Sequence, residues 1–364
     1  MTEREQQVLD ILKNDPLIQQ NVLAEKLGCS RSAVAGHIMN LMRKGFIQGK
    51  GYIIAPEKYA VVIGGANMDL CGRSDNTLIV GDSNPGSLTS SAGGVGRNIA
   101  DNMGRLGSSV QFIGVVGGDA WGEQLLQSCR NAHVGVEHSL VMSGRTSSNY
   151  LSIHGPDGEM QLALNDMKLI DELNSEQLAK RSGVLNRSSA IVIDANLSDS
   201  ALDYLFHAHG DKAILVDPVS SVKASKLIPY LSHIHTLKPN RLEAELLSGV
   251  TINSDEDLPT VANTLHGKGV KHILISLGAK GAYASVDGVG QRISAEKTQV
   301  NNVTGAGDAL MAGLSHGFLQ GWSWDETVNF ALGAARLALL ANTTINSVMS
   351  EQAVHNLLEE SFTC

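Results

Sequence analysis

The chain has 364 residues, 43% of them hydrophobic and 18% charged, with a net charge of −9. No apolar run approaches the ~20 residues of a membrane span, the polar start Met1-Thr2-Glu3-Arg4-Glu5 has no signal-peptide core, and Cys29, Cys71, Cys129 and Cys364 have no metal or redox spacing. This argues against a helical membrane protein and a disulfide-stapled fold, and leads us to expect a cytoplasmic protein with free thiols.

The charge is uneven. Residues 1–58 hold 8 Lys+Arg against 6 Asp+Glu, a sum of +2, and the remainder holds 20 against 31, a sum of −11. The asymmetry predicts two domains, residues 1–56 and 57–364. In the first, Val8, Leu9, Ile11 and Leu12 predict a helix over 4–13. A second helix is expected over 20–27, a tight turn at Gly28-Cys29, and a third helix from an N-cap at Ser30 to about Lys44. Residues 46–54 read as a small hairpin, which completes a winged helix-turn-helix. The segment Leu23–Val34 resembles the core of bacterial winged-helix regulators. That resemblance implies that the helix from Ser30 enters a DNA major groove, with Arg31, Ser32, His37 and Asn40 facing out and Lys50 on the wing touching the backbone. The excess charge of +2 is too small to argue for DNA on its own. Protein contacts or dimerisation are the alternative use, and winged-helix proteins that read two half-sites form homodimers.

From Tyr59 onward, short apolar runs at 60–64, 110–114, 190–194, 213–217, 236–238 and 272–276 alternate with helical segments. This predicts an α/β fold with a mostly parallel sheet covered on both faces. Ligands bind such folds at the carboxyl ends of the strands. Residues 68–92 and 139–166 break the pattern. They are rich in Ser, Gly and Thr with short alternating runs, and read as antiparallel strands forming a small β lid.

Four motifs carry chemistry. Asn67 and Asp69 follow the first strand. Gly93-Gly94-Val95-Gly96-Arg97-Asn98 opens a helix about 30 residues after that strand, too far for a dinucleotide fingerprint, so Asn98 is free to meet sugar hydroxyls. Asn240 and Glu243 are spaced for one helical face. Thr304-Gly305-Ala306-Gly307-Asp308 places small residues and one carboxylate at a helix N-terminus, an anion cradle beside a group that can take a hydroxyl proton.

The order and spacing of Gly64–Asp69, Gly93–Asn98, Lys238–Glu245 and Thr304–Asp308 resemble the ribokinase (PfkB-type) carbohydrate kinase family over about residues 59–345. Within it the chain looks most like bacterial pseudouridine kinases, through Gly81–Gly86, Leu164–Met167, Val216–Ser220 and Ile234–Glu245. The resemblance implies an ATP-dependent kinase for the 5′-hydroxyl of a nucleoside, pseudouridine first, with inosine, guanosine or ribose as alternatives. It implies Asp308 as catalytic base and Gly305, Ala306 and Gly307 as the anion hole. Asn240 and Glu243 would organise Mg²⁺ largely through water, and Asn240, Ser276, Gly278 and Gly281 would hold ATP. Asn67, Asp69, Gly94 and Asn98 match the sugar positions, Asn149 and Asp166 in the lid are candidates to read the base, and Asn196 is a candidate to line the pocket. Many relatives carry an Asp where this chain has Asn302, which leaves a K⁺ site without its charge. A reading of a different class is a DNA-binding regulator that uses the kinase fold to sense a ligand.

Overall fold

A computed structural model of the chain describes residues 1–49, 53–54 and 57–361. Helices α1 (Glu3–Asn14), α2 (Gln20–Leu27) and α3 (Arg31–Arg43) lie where the apolar spacing predicts them. Gly28 ends α2 at φ 60°, and the Ser30 hydroxyl accepts from the Ala33 amide at 3.1 Å to cap α3. Val8, Leu12, Leu23, Val34 and Leu41 are fully buried between the three helices. Strand β1 (Ile47–Gly49) pairs antiparallel with β2 (Ile53–Ile54), as expected for the wing. Lys50 lies outside the described residues. This unit rests on the larger body: the Arg187 guanidinium stands 3.8 Å over the Phe46 ring, Gln111 Nε2 donates to Gln48 Oε1 at 3.3 Å, and Gly45 packs on the Gly183 backbone.

The larger body is built on an eight-stranded sheet. Strand β3 (Ala60–Ile63) has β6 (Val110–Ile113) on one side. On the other lie β11 (Ala190–Asp194), β12 (Ala213–Asp217), β13 (Ile234–Leu237) and β14 (His272–Ser276), all parallel. The apolar runs are continuous because both faces are covered. Val61, Ile191, Ile193, Ile214 and Val216 enter one core, whereas Val62, Val192 and Leu215 enter the other. Two features depart from the sequence pattern. Strand β13 begins at Ile234, two residues before the expected start, and the His235 ring packs edge-on against His272 and Phe318. The free edge is closed by an antiparallel hairpin, β15 (Ala282–Val286) and β16 (Val289–Ile293), whose turn is Asp287-Gly288 with φ 51° and 79°.

A second, four-stranded sheet forms the expected lid, in the order β10 (Met160–Asp166), β9 (Asn149–His154), β4 (Asn67–Ser74), β5 (Gly86–Gly93). A separate pair, β7 (Val115–Gly117) and β8 (Leu140–Met142), runs parallel. One lid face carries Leu70, Leu88, Leu151, Ile153, Leu162 and Leu164 in register. Leu88, Leu162 and Leu164 are exposed.

Candidate active site

Strand β3 leads to β6 on one side, but the later strands β11 to β14 are added on the other. The covering helices switch faces with the change. Ile99 and Met103 of α4 (Val95–Arg105) enter one core, and Leu202 and Leu205 of the helix after β11 enter the other. A crevice opens at such a switch point, at the carboxyl ends of the strands. Most of the candidate residues meet there.

The helix Ala306–Gln320 starts from Gly305, which adopts φ 86°. A Cβ at Gly305 would lie 2.1 Å from the Thr344 carbonyl oxygen, so this position requires glycine. The turn leaves the first amides of the helix without a side-chain cap and places Asp308 in its first turn. Asp308 Oδ2 accepts a 2.7 Å hydrogen bond from Asn98 Nδ2. Burial and the nearby Asp217 carboxylate push the Asp308 pKa up to about 7, against the opposing pull of Asn98 and Lys238. Part of its side chain still reaches the crevice. A carboxyl poised near neutrality suits a general base.

Asn98 is held from behind. Arg97, 1% exposed, bonds its side-chain oxygen and also the Gly93 and Ala92 carbonyls, at 3.0 and 2.9 Å. The guanidinium thus locks the last residues of lid strand β5 onto α4. Asn67 is buried and donates to Asp69 Oδ1 at 2.7 Å. Burial raises the Asp69 pKa, while Asn67 and Arg97 lower it. Gly94, at φ 97°, caps α4 beside the Gly65 carbonyl. Asn67, Asp69, Gly94, Asn98 and Asp308 therefore converge on one end of the crevice.

The lid register separates the remaining candidates. Asn149 pairs with both Met68 and Asp166, so these two candidates are neighbours. Asp69 instead pairs with Tyr150, one row away. Since alternate residues point to opposite faces, Asn149 and Asp166 occupy the face opposite Asp69, at the end of the apolar face. Asn196 lies just past β11, and its side-chain oxygen accepts from Lys223.

Two charged groups to which the sequence reading gave no role complete the crevice. Lys238 and Asp217 are both almost fully buried and pair at 3.1 Å. Burial opposes the Lys238 charge, but Asp217, Asp308 and Glu243 outweigh it and raise its pKa. The ammonium nitrogen lies 3.5 Å from where a Cβ of Gly307 would sit, at the base of the anion cradle. Lys238 opens the Lys238–Glu245 segment and Asp217 lies in Val216–Ser220, so their place at the carboxyl ends of β13 and β12 within those segments is the signal that could have singled them out.

Asn240 and Glu243 form a reciprocal cap rather than a side-by-side pair on a helix face. Asn240 is the N-cap of the helix Arg241–Ser248, its side chain accepts from Glu243 N at 2.9 Å, and Glu243 Oε2 accepts from Asn240 N at 2.8 Å. Burial raises the Glu243 pKa, and so does Asp217, against the Asn240 amide. No group of three or more His, Cys, Asp or Glu among the described residues is arranged as a metal cage. Isolated carboxylates near a phosphate site fit a hydrated Mg²⁺ that arrives with a nucleotide. A cavity of about 370 Å³ is lined by Asn240, Leu242, Ser276, Leu277, Gly278 and Lys280. Gly281 N donates to Gly278 O at 2.9 Å and closes the turn beside it. The Asn302 side-chain oxygen accepts from Thr304 N at 2.9 Å and so shapes the turn into the cradle.

On α3, Arg31 and Ser32 are exposed, whereas His37 and Asn40 are half-buried and Asn40 accepts from Arg43. The most exposed apolar residue of the helix is Met39, 69% exposed. No helix among the described residues is long and apolar enough to cross a membrane.

Comparison with known proteins supports the fold and places the chain in a family. Residues 57–351 match the model of the pfkB family carbohydrate kinases, and residues 1–48 match a winged helix-turn-helix DNA-binding model. The chain is 40% identical over 351 residues to the uncharacterized sugar kinase YeiI of Escherichia coli K12, covering 96% of this chain and 97% of the relative. It is also 40% identical over 304 residues to the pseudouridine kinase of the same organism, covering 83% and 97%. A carbohydrate kinase structure from Agrobacterium tumefaciens superposes with a TM-score of 0.72 at 29% identity, covering 83% and 97%. The chain belongs to the pfkB family of carbohydrate kinases, as an ATP-dependent kinase of a nucleoside or sugar that carries a winged helix-turn-helix at its N-terminus.

Proposed function

We propose that the protein transfers the γ-phosphoryl group of ATP to the 5′-hydroxyl of pseudouridine. The observation that carries the chemistry is Asp308: a carboxyl with its pKa pushed up to about 7, aligned by Asn98, in the first turn of a helix whose N-terminus has no side-chain cap. Asp308 takes the hydroxyl proton as the oxygen attacks phosphorus. The backbone at Gly305, Ala306 and Gly307, together with Lys238, holds the charge of the transferring group. Asn67, Asp69, Gly94 and Asn98 bind the ribose, and Asn196 lines the pocket. ATP lies across Asn240, Ser276, Gly278 and Gly281. Asn240 and Glu243 would hold Mg²⁺ largely through water, and the ion would supply charge neutralisation to the phosphates. Asn302, uncharged and engaged with Thr304, disfavours strong activation by K⁺.

Pseudouridine is supported by the 40% identity to a pseudouridine kinase over nearly that protein's whole length. Inosine, guanosine or ribose is the second choice. Asn149 and Asp166 read the base only if lid closure turns their edge toward the crevice. The winged helix contacts DNA through Arg31, Ser32, His37, Asn40 and Lys50, and the exposed apolar lid face supports a homodimer. A phosphorylation assay with ATP and Mg²⁺ over a panel of nucleosides and pentoses tests the acceptor. Pseudouridine is expected to give the highest kcat/KM, and a clear preference for inosine would displace it.

A further inference from the structure

We propose that Asp194 is the positioning residue of the acceptor site, a carboxylate that staples three separate site segments together; this rests on the kinase reading above. Asp194 is the last residue of β11, at the switch point, with no solvent exposure. Its Oδ2 accepts from two backbone amides, Gly65 at 2.8 Å and Gly96 at 2.7 Å. Its Oδ1 accepts from the Asn196 amide at 2.9 Å. Gly65 begins the turn that delivers Asn67 and Asp69. Gly96 lies in the first turn of α4, two residues before Asn98, which in turn holds Asp308. Asn196 is the third segment, tied from its other side by Lys223.

The packing leaves no room for a looser arrangement. A Cβ at Gly64 would lie 2.4 Å from Asp194 Oδ2, and one at Gly96 would lie 2.6 Å from the Gly64 Cα. The glycines let both backbones reach the carboxylate directly, so the spacing of Asn67, Asp69 and Asn98 is set by two short bonds to one oxygen. With both oxygens engaged and none of its surface exposed, Asp194 does not touch the acceptor and positions it through these segments, while its charge also helps raise the Asp308 pKa. Burial raises its pKa and the amides of Gly65, Asn196 and Gly96 oppose that rise, as expected of a carboxylate kept as an acceptor by backbone N–H groups. The nucleotide side makes no contact with it: Asn240, Ser276 and Gly278 sit on β13, β14 and the turns after them.

This placement separates two outcomes. Asp194→Asn keeps the shape but turns an amide against the two N–H groups of Gly65 and Gly96, or forces its single oxygen to serve all three. The KM for the acceptor that the wild type uses best is expected to rise about tenfold or more, with kcat falling as well, while the KM for ATP stays within about twofold. Hydrogen exchange is expected to quicken in segments 60–70 and 90–105 and to stay unchanged over 306–320. Gly96→Ala presses on the same contact without altering charge. It should give the same acceptor-selective defect, with little further loss in the double variant. Equal rises in both KM values, or faster exchange spread across the whole sheet, would mean that Asp194 serves stability alone and would overturn the proposal. If the wild type phosphorylates no acceptor in the panel, the kinase reading fails, but the exchange pattern still decides whether the staple exists.

Discussion

The crevice at the end of β3 and the outward face of α3 are built in opposite ways. In the crevice, Asp308, Asp217, Lys238 and Arg97 are packed among fixed hydrogen-bond partners, the Asp308 pKa is pushed up to about 7 and that of Lys238 is raised. On α3, Arg31 and Ser32 stand in solvent beside an exposed Met39. Charges in a low-dielectric, preorganised setting act strongly on one small ligand, whereas solvent-exposed charges act weakly and additively on an extended one. The contrast teaches that changes in the crevice should be large and specific to catalysis, and changes on α3 small and dependent on salt.

The largest expected effect is at Asp308. Asp308→Asn should lower kcat by about 10²–10⁴-fold, the usual share of a general base, while calorimetry shows ATP binding unchanged. The substitution should also stabilise the fold. The carboxyl has its folded pKa raised from 3.8 to about 7, so the wild type loses stability as pH rises through that window. The gain in Tm for the variant should therefore grow from about pH 4 to 7 and then level off. Unchanged turnover would break the contrast at its strongest point.

Next is Lys238→Met. It removes a cation from the base of the cradle and leaves Asp217 buried without its partner, so kcat should fall by about 10²-fold, in the range seen for loss of one oxyanion-hole donor. A loss confined to the KM for ATP would place Lys238 in ground-state binding instead.

How much of this was legible depends on how local each signal is. Gly305 and Asp308 announce themselves because a left-handed turn and a first-turn carboxylate are written in adjacent residues. The Asp217–Lys238 pair and the Asp194 contacts are not legible in this way, because their partners come from different strands and only the sheet register joins them. Glu243 shows a limit of spacing arguments. Three residues apart from Asn240 fits a shared helix face and a capping box equally, and only the start of the helix distinguishes them. The hairpin at the sheet edge is a different case. Asp287-Gly288 is a strong local turn signal, but the exposed strand β16 after it lacks the apolar run by which the other strands were recognised. Likewise the alternation of lid residues reveals strands but not which face meets the crevice.

The smallest expected effect lies on α3. Arg31→Ala should weaken DNA binding about equally for all sequences, reduce the slope of log affinity against log salt by about 1, and leave kcat within about twofold. If the wild type binds no DNA in a salt-sensitive manner, the winged helix serves another contact and only the crevice side of the contrast stands.

The most direct test of Asp308 as a base poised by its buried neighbours is the pH dependence of kcat/KM for the acceptor, in the wild type and in Asp217→Asn. A base must be ionised, so the wild-type rate should fall as pH drops through about 7. Removing the Asp217 charge should move that limb to lower pH, because Asp217 is the largest charge effect raising Asp308 beyond burial, ahead of Asp194. A rate that stays flat across that range, or a limb that does not move in Asp217→Asn, would contradict it.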